Sequence, residues 1–164
     1  MSSMDIVRQV IQQRIDLTKL PEIPLIQYAR VYNSAAITLT TGVTTALTFD
    51  SERYDVGGLH STSVNTGRLT IAIAGVYEVG GSVSFATDTV GIRGLSVLLN
   101  GATTIILARD TPIAGDNTVI SLSAPYRFAA GDYIELYARQ TSGGNLNVTV
   151  NAAYSPEFWI TRKG

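Results

Sequence analysis

Residues 66–85 read TGRLTIAIAGVYEVGGSVSF. Side chains in a strand alternate between faces, so Leu69, Ile71 and Ile73 share one face while Thr70, Ala72 and Ala74 share the other. Gly75 interrupts the run with a turn. Beyond it Tyr77, Val79, Gly81, Val83 and Phe85 continue a core face, and Glu78, Ser82 and Ser84 point away from it. The stretch predicts two consecutive half-buried antiparallel strands.

The same alternation extends outward in both directions, between turn residues and without helical periodicity from Leu25 onward. It predicts strands over residues 28–32, 46–49, 68–74, 76–87, 93–99, 103–109, 118–128, 133–140, 146–153 and 157–161. Asn100-Gly101 is a hairpin signal because both residues tolerate positive φ. Gly115-Asp116, Ala130-Gly131-Asp132 and Ser142-Gly143-Gly144-Asn145 mark further turns. About ten strands with no crossover helix predict an all-β sandwich or barrel.

Ahead of the strands, residues 2–17 carry the one helical pattern. Ser2 or Ser3 is placed to cap it, with Asp5 three residues after Ser2 in the manner of a capping box. Met4, Val7, Ile11 and Ile15 form a narrow apolar stripe, which needs a partner surface because so short a helix is marginal alone. That surface is either the chain's own β domain or a larger assembly. Pro21 and Pro24 impose an extended connector. The expected organisation is an attachment arm over 1–24 and one β domain over 25–164, consistent with a length of 164 residues.

Composition narrows the function. Twelve basic and thirteen acidic residues give a net charge of −1, so there is no basic footprint for nucleic acid. Cysteine is absent, which removes disulfides and thiolate chemistry. No run of about 18 apolar residues predicts membrane insertion, and residues 4–17 mix charge and amide groups in a way unlike a secretory signal. At 15% charged residues, against roughly 25% in an average soluble domain, either Thr, Ser, Asn and Gly form much of the surface or partners cover part of it.

Several motifs together resemble a known family. Thr66-Gly67 with Leu69, then Ala74-Gly75-Val76-Tyr77, is similar to the signature of the complement C1q globular head, which belongs with the tumour necrosis factor ligands. Ala130-Gly131-Asp132-Tyr133 with Leu136 resembles that family's Gly-Asp strand opening, and Ser155, Phe158 and Ile160 its closing strand. Phe49, Tyr54 and Asp55 fall at its upstream aromatic and polar positions. The likeness spans about residues 26–162. It implies a ten-strand antiparallel jelly-roll sandwich that assembles as a tight parallel homotrimer. No collagen-like stalk, membrane anchor or receptor-cleavage site is present, so complement and cytokine roles do not carry over. The runs LTFDSERYDVGGLHS, LLNG, SGGNLNV and SPEFWITR look more like the C1q-type domains of bacteriophage virion proteins.

One strand supports assembly independently of that likeness. In residues 133–140, Ile134, Leu136 and Ala138 face the core, whereas Tyr133, Glu135, Tyr137 and Arg139 face outward. Outward tyrosines are common at interfaces, which makes these four the expected trimer surface. An ordinary exposed strand face is the other reading.

No catalytic constellation emerges. His60 is the single histidine, which excludes paired-His metal sites, and no Gly-x-Ser-x-Gly, phosphate loop or HExxH occurs. Asp50, Glu52 and Asp55 are the one acidic group suited to calcium, but their spacing is not that of an EF-hand, and Arg53 is at hand to pair with them. No enzyme activity, cofactor or metal is therefore expected. Tyr32, Tyr54, Tyr126, Tyr154 and Trp159 could stack on sugars, although such aromatics more often fill cores or subunit seams. Tyr54, Asp55 and His60 form the candidate ligand-facing loop. The expected function is that of a non-enzymatic trimeric phage protein at the virion surface, decorating the capsid through its N-terminal arm. The alternative is a receptor-binding tip or fibre knob that recognises a host surface glycan or protein. Expected partners are a homotrimer and other capsid or tail proteins.

Overall fold

The computed structural model describes residues 2–5, 26–151 and 153–163. Among them two antiparallel sheets pack face to face as a jelly-roll sandwich. The first contains β1 (Tyr28–Tyr32), β2 (Ile37–Leu39), β4 (Ser51–Val56), β6 (Gly75–Phe85), β9 (Thr118–Phe128), β11 (Leu146–Thr149) and β12 (Glu157–Arg162). The second contains β3 (Thr44–Ala46), β5 (Arg68–Thr70), β7 (Arg93–Leu99), β8 (Thr103–Asp110) and β10 (Tyr133–Gln140).

The eleven residues of β6 organise the first sheet. β9 pairs along the whole length of β6, from Gly75↔Phe128 to Phe85↔Thr118, while β12 and then β11 occupy its other edge. β12 continues the sheet to β1, and β1 to β4. In the second sheet β10 is central, with β3 and β5 on one side and β7, then β8, on the other. Asn100 and Gly101 both have positive φ, 52° and 70°, and close the β7–β8 hairpin as their sequence predicts.

Alternation delivers the core. Val31, Tyr77, Val79, Val83, Phe85, Phe158 and Ile160 of the first sheet are fully buried, against Leu69, Leu95, Val97, Ile134, Leu136 and Ala138 of the second. Phe49 stacks on Phe158 with centroids 5.8 Å apart. Tyr77 brings a hydroxyl into this apolar layer, where it donates to Gln27 Oε1 at 2.6 Å and lies 2.7 Å from the Ile73 carbonyl. Burial raises its pKa above the usual tyrosine value near 10, an effect partly offset by Arg162. A raised folded value means this contribution is intact below pH 10 and is lost as pH climbs through the folded pKa. Tyr77→Phe is therefore expected to cost about 1 kcal/mol at neutral pH and to weaken the alkaline loss of stability. Thermal melts between pH 7 and 11 check both effects.

The structure departs from the sequence reading in several places. The described residues form twelve strands rather than ten, the additional ones being Ile37–Leu39 and Ser51–Val56. The strand expected over 46–49 lies earlier, at Thr44–Ala46. Leu47 and Phe49 beyond it are still fully buried, with their amides bonded to the carbonyls of Leu136 and Thr66. The strand expected over 146–153 ends at Thr149. Ser82 and Ser84 face away from the core as expected, yet both are buried. Ser82 shares a 2.8 Å hydrogen bond with Ser121, and the Ser84 amide donates to Ser155 Oγ at 2.8 Å.

At the N-terminus, residues 3–5 are helical, and Ser2 and Asp5 bond reciprocally: Ser2 N to Asp5 Oδ2 at 3.0 Å, and Asp5 N to Ser2 Oγ at 3.3 Å. The rest of the expected helix, with Val7, Ile11 and Ile15, lies outside the described residues, as do Pro21 and Pro24. Met4 is exposed.

Candidate functional site

Strand pairing turns distant residues into rows on the outer face of the first sheet. One row runs Tyr54, Arg30, Trp159, Gly80, Ser123, from β4 across β1, β12 and β6 to β9. The next runs Tyr32, Glu157, Ser82, Ser121. One half of the face is thus an aromatic and arginine ridge, and the other half is a floor of small residues.

A bulge builds the ridge. Arg30 pairs with Tyr54 and Val31 with Glu52, which leaves Arg53 as the extra residue of β4. The Arg53 guanidinium consequently lies 4.5 Å from the Tyr32 ring centroid and reaches Glu157 Oε1 at 2.6 Å through Nε. Arg30 Nε donates to the other Glu157 oxygen. The Glu157 side chain is only 1% exposed, so two arginines compensate one buried carboxylate. Arg30 also lies 6.0 Å from the Trp159 centroid, and Tyr54 meets Tyr28 edge-on at 5.3 Å. Arg30, Tyr54 and Trp159 line a shallow open depression.

The expected trimer residues Tyr133, Glu135, Tyr137 and Arg139 lie on the outer face of the second sheet. Much of their chemistry is spent within the chain. Arg68 sits 3.9 Å from the Tyr133 centroid and pairs with Glu135 at 3.0 Å, Tyr137 donates to Glu135 at 3.1 Å, and Arg139 Nε donates to the Gly42 carbonyl at 3.2 Å. Glu135 is only 9% exposed. Desolvation, with the Glu135 carboxylate next in size, holds the Tyr137 phenol above its usual pKa.

The expected ligand-facing loop is arranged differently from its sequence reading. Tyr54 belongs to β4 and not to a loop. Asp55 accepts from the amides of Leu59 and His60, both at 3.0 Å. The His60 ring is fully buried, with Nδ1 2.9 Å from Glu52 Oε1 and Nε2 3.0 Å from the Thr66 carbonyl. It braces the 57–66 segment against β4. Asp50 is bonded to the Ser34 hydroxyl at 2.5 Å and its amide at 2.9 Å, and the hydroxyl bond holds the carboxyl below its usual pKa. Asp50 thus turns to Ser34, while Glu52 and Asp55 both turn to His60, one to its ring and the other to its amide. Among the described residues there is no group of three or more His, Cys, Asp or Glu side chains able to hold a metal ion.

The sequence reading missed the Arg30–Trp159–Gly80 row. The sequence offers Trp159 as a sugar-stacking aromatic or a filler of core or subunit seam, and nothing local links it to Arg30 or Gly80.

Comparison with known proteins places this geometry. No family model matches the chain. An uncharacterized protein, L688, of Acanthamoeba polyphaga mimivirus is 36% identical in an alignment of 101 positions that covers 58% of this chain and 42% of that protein. The chain thus matches less than half the length of that relative. Among solved structures, murine APRIL is similar with a TM-score of 0.64 at 11% identity, covering 84% of this chain and 98% of the other. The Eiger TNF of S. frugiperda is similar with a TM-score of 0.60 at 12% identity, over 85% and 93%. The globular domain of the zebrafish complement 1qA protein gives 0.59 at 16% identity, over 84% and 98%. The chain has the TNF and C1q jelly-roll fold.

Proposed function

We propose that this chain is a non-enzymatic, homotrimeric structural protein of a virus particle, with the jelly roll as an outward knob and residues 1–24 as its attachment arm. The observation that carries the trimer is the outer face of the first sheet, where a Trp, Tyr and Arg ridge adjoins a floor of glycine and serine. Trp, Tyr and Arg are the residue types that anchor protein interfaces, and beside the ridge the exposed Ser121 and Ser123 of β9 leave room for a partner's side chains. The β9 side supplies material for the partner half: Val119 is 43% exposed, and Ile113, just before β9, is 51% exposed. A ridge on one protomer meeting a β9 edge on the next is a heterologous contact, which closes into a three-membered ring when each step rotates by a third of a turn. The first sheet is preferred over the Tyr133–Arg139 face because it combines a partly exposed Trp159 with Tyr54 and Val119, both 43% exposed, whereas Tyr137 and Glu135 of the other face are turned to one another.

The viral setting is supported by the mimivirus relative, whose own role is uncharacterized, and by the C1q-type virion resemblance of the sequence. Attachment is tested by removing residues 1–24 and measuring incorporation into particles. The expected result is a trimer that no longer joins the particle, and undiminished incorporation contradicts the arm as anchor. A second reading, a receptor-binding tip, is favoured by an uncompensated pair of arginines on the outer face of the second sheet.

A further inference from the structure

On that second face the register places Thr44, Arg139, Gly94 and Arg109 in one row, across β3, β10, β7 and β8. The two arginines therefore flank a glycine, with Cα atoms two strand spacings apart, about 10 Å. The next row places Ser96 beside Leu107. The result is a groove of about 190 Å3, floored by Gly94 and Ser96, walled by Arg109 and Arg139, and closed by Leu98 and Leu107. Thr44 and Thr104 supply hydroxyls at its margins.

Its charge is unbalanced. No carboxylate lines the groove. Arg109 is exposed and makes no hydrogen bond or ion pair among the described residues, and Arg139 spends only Nε there, on the Gly42 carbonyl. Glu135, on the same face, stands two rows away from Arg139 and is engaged by Arg68 and Tyr137. In a chain of net charge −1, two arginines with unspent donors line one groove on either side of a glycine. Guanidinium groups match carboxylates through paired N–H donors. Leu98 and Leu107 suit the C–H face of a ring, and the serine and threonine hydroxyls suit a polyol. The volume, below the roughly 300–1,000 Å3 of drug-sized sites, suits one ring rather than a long ligand.

We propose that this groove binds a carboxylate-bearing sugar residue, its acid group held between Arg109 and Arg139 and its ring lying over Gly94 and Ser96. This gives the receptor-binding reading its ligand class and rests on that reading, not on the trimer, because every residue comes from one chain. Gly94 is the specificity residue. The nearest atoms to a Cβ there are Arg109 Cγ at 3.7 Å and two carbonyl oxygens at 3.8 Å, ordinary contact distances, so an added Cβ is accommodated and a longer side chain would extend into the site.

The test is titration of the full 15N-labelled chain with methyl β-D-glucuronide, followed by amide shifts. Expected is saturable binding centred on Gly94 and Ser96, roughly tenfold or more tighter than for the neutral methyl β-D-glucoside or for acetate. Arg109→Ala should weaken it by a similar factor, and Gly94→Leu should abolish it with charge unchanged. Equal affinity for acid and glucoside, tighter binding of tetraglutamate, no saturable binding, or indifference to Arg109→Ala would each overturn the proposal. Arg109 is exposed, so its variant stays informative if Gly94→Leu does not fold. Failure of glucuronide binding leaves the trimer standing, and a monomeric chain leaves the groove testable.

Discussion

Gly80→Val is expected to convert a particle of three chains into single folded chains. A Cβ at Gly80 would fall inside the indole of Trp159, directly across the β6–β12 pair. The indole lies on the outer face and is partly exposed, so it is displaced outward rather than into the core. The displacement costs about 1–3 kcal/mol of chain stability, as overpacking does. It removes the anchor of the proposed interface altogether, and hot-spot residues of this type dominate association energy. Sedimentation should show loss of the trimer while circular dichroism retains its β signature. Ser123→Ala, at the end of the same row, is the matched control and should stay trimeric. An intact trimer in Gly80→Val contradicts the placement of the interface.

The second large effect concerns charge. Replacing both Arg30 and Arg53 by alanine leaves the Glu157 carboxylate buried without a counter-ion, and should cost about 3–5 kcal/mol, read as a lowered denaturation midpoint. Glu157→Leu should cost less, because Arg30 and Arg53 are each about a third exposed and can rehydrate. The order matters more than the size. If Glu157→Leu is the worse of the two, the carboxylate is not the buried partner that the geometry makes it.

The sequence made the strands of regular alternation legible. Tyr28–Tyr32, Arg93–Leu99, Thr118–Phe128 and Tyr133–Gln140 lie within their predicted bounds, since one oily face along each forces the register. Ser51–Val56 was illegible for a physical reason. It is an edge strand reading SERYDV, its period is broken by the bulge at Arg53, and its exposed Glu52 is bonded to His60, eight residues on. His60 looked like a loop residue because its neighbours are Gly57, Gly58 and Ser61, and only the fold turns its ring inward. Sheet faces follow the same logic. The Tyr133–Arg139 face lies on one strand and could be read by counting in twos. Arg30, Gly80 and Trp159 come together only through the β1–β12–β6 pairing, which no local pattern encodes.

Threefold assembly is tested most directly by the mass of the full-length chain in solution at micromolar concentration. The account predicts a single species of three times the 17.5 kDa chain, dispersed to one chain by Gly80→Val. A stable particle of 17.5 kDa for the unsubstituted protein would contradict it.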